Sequence, residues 1–260
     1  MTSDPPFSGY VAKVDPFNTN ERALFRGRDP VEAIQIKFSD SHWLFTNPVD
    51  ELVGPNQQLI LVDWEDEDHL MDRHPDDIIR HCLELEPYLD HVYLGDRWTY
   101  EKMGPRRNRT QINRSVGVQE ELGRQFRKFD VNFEFHPMVQ GWKSWHLERV
   151  RPVVEEFGKT MVGFDATGYN SKYDLADDVN RAIRVLDLES LYVSGRIGPT
   201  YLEILPKEVQ AVSGRQSLMD DVKSPTGEHN PSLLDPEIKR RLNALNNDQA
   251  QLRQFEFITT

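Results

Sequence analysis

The sequence predicts an α/β fold in which parallel strands close into a (β/α)8 TIM-like barrel, with a helix at the C-terminal end. Short apolar runs that end on polar groups recur along the chain, and helical segments lie between them. Continuous Val, Ile and Leu runs are typical of strands covered on both faces, and regular alternation with helices indicates βαβ units. The predicted strands are residues 33–39, 57–64, 91–96, 132–141, 160–168, 190–198 and 209–215.

The eighth strand has two candidates, residues 8–14 and residues 255–260. An open doubly wound sheet is the alternative to a barrel. We favour the barrel, which need not be regular or complete, because the strand number approaches eight and both faces of the sheet look covered. We therefore assign residues 1–30 to an N-terminal extension, 31–216 to the barrel, and 217–260 to a loop and a terminal helix.

Apolar residues with helical spacing predict the helices between these strands. The spacing indicates helices over residues 76–88, 115–129, 144–157 and 175–186, and a short helix near Pro199. Residues 217–236 are rich in Asp, Ser, Pro, Gly and Asn, which predicts a loop. The terminal helix is expected from about residue 236 to about residue 255, packed on the barrel or on a partner chain.

Composition narrows the class of protein. The 260 residues contain a single cysteine, Cys82, which excludes an internal disulfide and a multi-cysteine metal site. No signal peptide and no membrane-spanning apolar run is visible, so we expect a cytoplasmic protein without membrane contact. No cofactor and no metal is expected, because phosphate-binding glycine motifs are absent and His136 lies within a strand, as a core histidine does.

The charge is unevenly distributed along the chain. The net charge is −12, yet residues 102–128 contain eight basic residues against two acidic ones. An acidic protein with one basic segment suggests a directed contact with an anion, although a solvated surface would show the same pattern. We expect this segment to begin as a loop after the strand at 91–96 and to hold phosphate groups through Arg106, Arg107, Arg109 and Arg114.

The polar groups that follow the strands are the candidate site, because the C-terminal ends of barrel strands gather on one face. Asp63 is placed to act as a general base, and Trp64 beside it could stack on a ring. The Gln140 amide matches the edge of a nucleobase, and Gly141 allows close approach of the backbone. The other strand-end candidates are Asp96, Trp142, Gly163, Asp165, Gly195, Ser213 and Arg215.

Five short motifs, in order, resemble those of the transglycosylases that exchange guanine for a 7-deazaguanine base in tRNA, and of their DNA-acting relatives. The motifs are LILVD at 59–63, YLGD at 93–96, MVQGW at 138–142, VGFDATG at 162–168 and YVSGRIGP at 192–199. The resemblance implies that Asp63 is a general base or base contact, that Asp96 reads a purine edge, and that Gln140 binds the base. It also implies a barrel and a deep, aromatic-lined pocket for an extruded base.

Two departures from that family keep three functions open. Ser213 stands where the family's nucleophilic aspartate is expected, and the zinc-binding cysteines of the tRNA enzymes are missing. A base-exchange glycosyltransferase, acting on DNA more readily than on tRNA, would use Asp63 and Asp165 as its catalytic carboxylates. The second reading is a catalytically silent base-binding subunit, as a homodimer or with a partner. The third is a barrel enzyme that clamps a small anionic metabolite with Arg97, Arg196 and Arg215.

Overall fold

A computed structural model describes residues 4–65, 69–70, 73–158, 160–195, 198–223 and 230–246. Nine strands occur in this part of the chain, and every pair of neighbours is parallel. They are β1 (Gly9–Lys13), β2 (Val31–Lys37), β3 (Gln58–Val62), β4 (His91–Tyr93), β5 (Glu134–His136), β6 (Met138–Val139), β7 (Val162–Ala166), β8 (Leu191–Gly195) and β9 (Val209–Ser213).

The strands form a (β/α)8-like barrel, as the sequence predicts. The hydrogen-bonded order is β5-β4-β3-β2-β1-β9-β8-β7-β6, so the two ends of the sheet are β5 and β6. These two strands are consecutive in the chain and are separated only by Pro137, which has no backbone N–H to donate. One interrupted strand therefore closes the barrel, with β5 paired to β4 and β6 paired to β7.

Helices alternate with the strands around the barrel. They are α1 (Thr19–Phe25), α2 (Pro75–Leu85), α3 (Pro105–Phe129), α4 (Ser144–Phe157), α5 (Lys172–Leu186), α6 (Pro199–Leu202), α7 (Arg215–Asp221) and α8 (Leu234–Leu245). Short 3-10 helices cover Phe38–Phe45, Val49–Glu51, Glu86–Tyr88, Glu101–Met103 and Pro231–Leu233. In the described residues, no helix combines the length and the apolar character needed to cross a bilayer.

The eighth barrel strand is β1, which pairs with β2 on one side and β9 on the other. The N-terminal extension assigned to residues 1–30 is therefore wrong, since β1 and α1 belong to the barrel. The alternative strand at 255–260 lies outside the described residues. The terminal helix, α8, packs on α6, α7 and β1. Of the two predicted positions, on the barrel or on a partner chain, this is the one on the barrel.

Helix α3 begins at Pro105, ten residues before the predicted start at 115. The basic segment is thus helical and not a loop. Its first turns bury three polar side chains (Asn108, Gln111 and Ser115) and one apolar side chain (Ile112), so the sequence shows no apolar stripe there.

The predicted loop at 217–236 also contains helices, the end of α7 and the start of α8. The contact between these two helices is polar, because the fully buried Arg241 donates to Asp221 Oδ2 at 2.6 Å and to Glu237 Oε2 at 3.1 Å. A buried ion pair of this kind leaves little hydrophobic signal in the sequence.

Two apolar clusters separate the outside of the barrel from its interior. Alternate strand residues face the helices, and the others fill the lumen, where the aromatic rings of Trp64, Tyr93 and Tyr192 pack together. Phe7 closes the N-terminal end of the lumen, with its ring 5.4 Å from that of Tyr192. The lumen is therefore a packed core below the face where the strands end.

We expect Gly163→Ala to destabilise the protein. A Cβ at this lumen position would lie 2.7 Å from Tyr93 and 2.9 Å from Trp64, both on rings held by their neighbours. Overpacking of a filled core costs about 1–3 kcal/mol of unfolding free energy. The matched control is Gly117→Ala on exposed α3, where a Cβ meets nothing within 4 Å and stability should rise by about 0.5–1 kcal/mol. Urea unfolding measures both, and equal stability of the two variants would contradict a filled lumen.

Candidate functional site at the barrel mouth

The C-terminal ends of the strands bring charged and amide side chains to one face, which we call the mouth. Its members are Lys13, Lys37, Asp96, Gln140 and Asp165, each at or just after the end of a strand. They are close enough to act on one another electrostatically. Burial and the charge of Asp63 raise the pKa of Asp96, and the charge of Asp165 raises it further. Burial, followed by the charge of Lys37, lowers the pKa of Lys13.

Asp63, a predicted catalytic residue, is buried beside the mouth and binds backbone. Its Oδ2 accepts the Gly95 N–H at 2.7 Å, and its Oδ1 accepts the Asp96 N–H at 3.1 Å. Gly95 adopts φ +103, and a Cβ there would lie 2.7 Å from Gln119, so only glycine permits this turn. Asp63 therefore positions Asp96, and backbone donors occupy both oxygens of the carboxylate that the sequence predicts to be catalytic.

The pKa of each of these two carboxyl groups, Asp63 and Asp96, is raised above that of an exposed aspartate. Burial raises the pKa of Asp63 to about 6, against the opposing pull of the Gly95 and Asp96 amides. Burial also raises the pKa of Asp96 well above its usual range, and the neighbouring charges of Asp63 and Asp165 add to this. Two adjacent carboxyl groups in a dry site resist simultaneous ionisation.

Gln140 and Asp96, which the sequence predicts to contact the same ligand, form a direct pair. Gln140 Nε2 donates to Asp96 Oδ1 at 2.6 Å, and both side chains are buried. The other end of the amide, Gln140 Oε1, is a buried acceptor with no hydrogen-bond partner in the described residues. A buried acceptor without a donor costs stability, so a polar ligand that donates here would remove a penalty.

Two residues of α3 hold the strands on either side of this pair. Ser115 Oγ donates to the Gly95 carbonyl at 2.6 Å, on the β4 side. Gln119 Oε1 accepts the Met138 N–H at 2.7 Å, on the β6 side. Gln119 Nε2 donates to Ser115 Oγ at 2.9 Å, which joins the two contacts. Buried polar side chains thus bridge the opening between β4 and β6.

Asp165 is the carboxylate of the mouth that solvent reaches. In β7 it lies on the same side of the strand as Gly163, which faces the lumen. Its Oδ1 accepts hydrogen bonds from the Thr167 N–H at 2.9 Å and from the Thr167 hydroxyl at 2.6 Å. Loss of solvation raises its pKa, while Thr167 and then Lys13 oppose the shift. Its second oxygen, Oδ2, accepts no hydrogen bond within the described chain, so Asp165 is the group best placed to meet a substrate.

Several predicted contact residues lie below the mouth instead of on it. Trp64 is buried, and its ring packs 5.7 Å from Tyr93 and 5.4 Å from Tyr192. Gly163 faces the same two side chains, Tyr93 and Trp64. The expected deep, aromatic-lined pocket is therefore occupied by the protein's own rings, and a ligand would sit above them.

Ser213 belongs to a buried polar network in the upper lumen. Its hydroxyl donates to Ser194 Oγ at 2.7 Å and lies 3.2 Å from Gln35 Oε1, which also accepts from Tyr192. No histidine or carboxylate in the described residues is hydrogen-bonded to Ser213, so nothing activates it as a nucleophile. Gln35 Nε2 is a buried donor without a partner in the same part of the chain.

The remaining predicted residues shape the rim. Gly141 has φ +80, and a Cβ there would lie 2.3 Å from the His146 ring, whose Nδ1 accepts the Trp142 N–H at 3.1 Å. A Cβ on Gly195 would lie 2.4 Å from the Ala166 backbone. Arg215 pairs with Glu21 of α1. The contacts of these four predicted residues, Gly141, Trp142, Gly195 and Arg215, are structural, and the sequence did not predict them.

A basic and aromatic surface lies beside the mouth, and its arginines, but not its aromatic residues, belong to the sequence-based site. We call it the α3 rim surface and define it as Trp98, Tyr100, Arg106, Arg109 and Trp145. The three aromatic residues are 41%, 41% and 38% exposed, and the Arg109 guanidinium lies 5.2 Å from the Trp145 ring centre. Arg107 and Arg114 are also exposed nearby on α3. The sequence signal for the aromatic residues is that Trp98, Tyr100 and Trp145 each lie within seven residues after the end of a strand.

Comparisons with known proteins add no family. No protein-family model matches the chain, and a search of curated proteins finds no match. The fold and the mouth therefore stand on the geometry alone, as a barrel with a polar site at the C-terminal ends of its strands.

The raised pKa of Asp63 has a measurable effect on stability. The folded state holds this proton up to about pH 6, whereas the unfolded state releases it near 3.8, so unfolding free energy should fall as pH rises between these values. Asp63→Asn removes this contribution and should flatten the dependence by up to about 1.4 kcal/mol per pH unit. Denaturant unfolding at several pH values measures it.

The control is Asp177→Asn, which alters an exposed carboxylate on α5. That variant should keep the parent's pH dependence. An unchanged slope in Asp63→Asn would mean that the folded environment does not favour the protonated carboxyl.

Proposed function

We propose that the mouth binds a purine-like base and that the protein exchanges such a base in a nucleic acid. The observation that carries the proposal is the Asp96–Gln140 pair, with Gln140 Oε1 left as a buried acceptor. A carboxyl and an amide side by side offer donors and acceptors in the pattern of a purine edge. The resemblance to 7-deazaguanine transglycosylases assigns base recognition to these same two residues.

Base exchange requires a carboxylate that can reach the sugar. In this reaction a carboxylate oxygen attacks the anomeric carbon, the C–N bond breaks with its electron pair leaving on the departing base, and an incoming base displaces the carboxylate. Asp63 is bound to two backbone amides, whereas Asp165 is exposed at the mouth. We therefore assign the nucleophile to Asp165, in a pentosyltransferase that needs no cofactor.

The α3 rim surface supports a nucleic acid as the carrier of the base. Bases stack on exposed aromatic side chains, and arginines contact phosphates. The basic residues at the start of α3 oppose its dipole, because a helix N-terminus favours negative groups. A polyanion at this surface would offset that unfavourable placement. We propose DNA with an unpaired base as the substrate.

A second candidate is a base-binding barrel without catalysis, acting with a partner subunit or as a homodimer. Ser213, where the resemblance places a nucleophilic aspartate, is buried and hydrogen-bonded. The metabolite-clamp reading has less support, because Arg97 donates to the Asp96 carbonyl at 2.6 Å and Arg215 pairs with Glu21. Its third arginine, Arg196, lies outside the described residues.

The first experiment measures binding and incorporation of a labelled 7-deazaguanine base with guanine-containing single-stranded DNA. Gln140→Ala should weaken base binding by about 10–100-fold, since a buried base contact contributes about 1–3 kcal/mol. Asp165→Asn should retain binding and lose incorporation by at least about a hundredfold. Asp174→Asn, an exposed carboxylate in the first turn of α5, is the control and should change neither.

Each outcome separates the candidates. Incorporation that depends on Asp165 supports base exchange, and base binding without incorporation supports the silent module. A parent protein that binds no base, or a Gln140→Ala variant that binds it as tightly as the parent, overturns base recognition at the mouth.

The second experiment measures the affinity for single-stranded DNA, single-stranded RNA and duplex DNA at several salt concentrations. Affinity should fall with salt, and Arg106→Gln with Arg109→Gln should reduce the logarithmic slope by about 0.7 per arginine on single strands. The control pair is Arg124→Gln with Arg127→Gln, about 27 Å further along the same helix at about 1.5 Å per residue. Binding that is insensitive to salt, or an equal loss in both pairs, would exclude the α3 rim surface.

A further inference from the structure

A cluster of two histidines and a glutamate lies at the opposite end of the barrel from the mouth. His91 begins β4, Glu134 begins β5, and His136 ends β5. His91 pairs in register with Glu134, so the side chains of the two strands meet where the strands start. This cluster contributes nothing to the proposed function at the mouth.

The ligand atoms of the cluster converge on one point. His91 Nδ1 lies 3.0 Å from His136 Nε2, and Glu134 Oε2 lies 3.9 Å and 3.7 Å from the same two nitrogens. Two imidazole nitrogens bound to one zinc ion at about 2.0–2.1 Å stand about 3.3 Å apart in tetrahedral geometry. The observed spacing needs only small shifts to accept such an ion.

The surroundings hold these groups in place. The His136 ring stacks on Tyr93 at 4.7 Å with 17° between the planes, and Phe7 packs 5.0 Å from the His91 ring. Thr160 donates to Glu134 Oε1, which leaves Oε2 directed at the histidines. Hydrogen bonds that orient a ligating carboxylate in this way are common around bound metals.

Burial and access also suit an ion. Both imidazoles are buried, and each offers a ring nitrogen to the cluster. The Glu134 side chain is 39% exposed, which gives solvent a path to the cluster. Water can then fill the coordination positions that three protein ligands leave open.

A hydrogen bond between the two histidines is the competing explanation. It accounts for the 3.0 Å separation of the ring nitrogens, but it leaves Glu134 Oε2 beyond hydrogen-bond distance from both. A cation between the three groups accounts for all of them, since it attracts the carboxylate and both lone pairs at once.

We propose that His91, Glu134 and His136 bind one divalent transition-metal ion of the zinc class at the N-terminal end of the barrel. The ion would join β4 to β5 immediately before Pro137 interrupts the closing strand. An ion at this position would stabilise the closure of the barrel, and residues at the N-terminal face of such barrels commonly contribute to stability.

The test uses the untagged full chain, stripped of metal with a chelator and titrated with Co²⁺ or Zn²⁺. One Co²⁺ per chain should give the visible absorption bands of a protein-bound ion, and Zn²⁺ should displace it. Zn²⁺ should also raise the melting temperature, because a ligand that binds only the folded state stabilises it.

Glu134→Gln and His91→Gln should each weaken Co²⁺ binding at least tenfold and remove the Zn²⁺-dependent rise in melting temperature. Glu134→Gln keeps the side-chain shape at a half-exposed position, so it should fold even if a histidine variant does not. His42→Gln, on an exposed residue distant in the fold, is the control and should bind as the parent does. Absent Co²⁺ bands, or equal binding by Glu134→Gln, would overturn the site and leave the histidine hydrogen bond as the explanation.

Discussion

Pro137 deprives the closing strand of one backbone donor, and the barrel accommodates this by splitting that strand into β5 and β6. β4 and β6 share no ladder hydrogen bonds in the described chain, so the barrel opens between them towards the mouth. The backbone groups on both sides still need partners, because buried amides without them cost free energy. Ser115 and Gln119 from α3 supply those partners, and Asp63 supplies them for the turn after β4.

The candidate site follows from this opening. Gly95 turns the chain away from β6 and presents its own amide and that of Asp96 to Asp63. The Asp96 side chain is then free to reach across the opening to Gln140. A continuous ladder between the two strands would have occupied this space with backbone hydrogen bonds. The interruption at Pro137 therefore determines where a polar pair can form within an otherwise apolar barrel.

Asp63 and Asp165 show why a carboxylate at a strand end is not by itself a catalytic group. Both follow apolar strands, and both were candidates for the same role. Asp63 lies on the same side of β3 as Leu59 and Leu61, which face the helices, so its carboxylate meets backbone amides and not the lumen. Asp165 shares the parity of Gly163, which faces the lumen, and it is open to solvent at the mouth.

The sequence predicted elements well where burial is apolar and poorly where it is polar. Continuous Val, Ile and Leu runs located seven strands correctly, and 8–14 was one of two candidates for the eighth. The sequence did not predict the first turns of α3, because three of the four side chains that they bury (Asn108, Gln111 and Ser115) are polar. For the same reason the sequence predicted a loop where α7 ends and α8 begins, since the buried contact between these helices is the ion pair of Arg241 and Asp221.

The sequence by itself determined the barrel class and the order of the strand ends, because hydrophobic periodicity and βαβ alternation are local properties of the chain. Only the tertiary structure decided that Trp64 fills the lumen, that Ser213 is bound within a polar network, and that His91 and Glu134 meet His136. These facts depend on which face each strand turns inward and on its register with its neighbours. Contacts between residues 40 or more positions apart leave no mark on the local pattern of either segment.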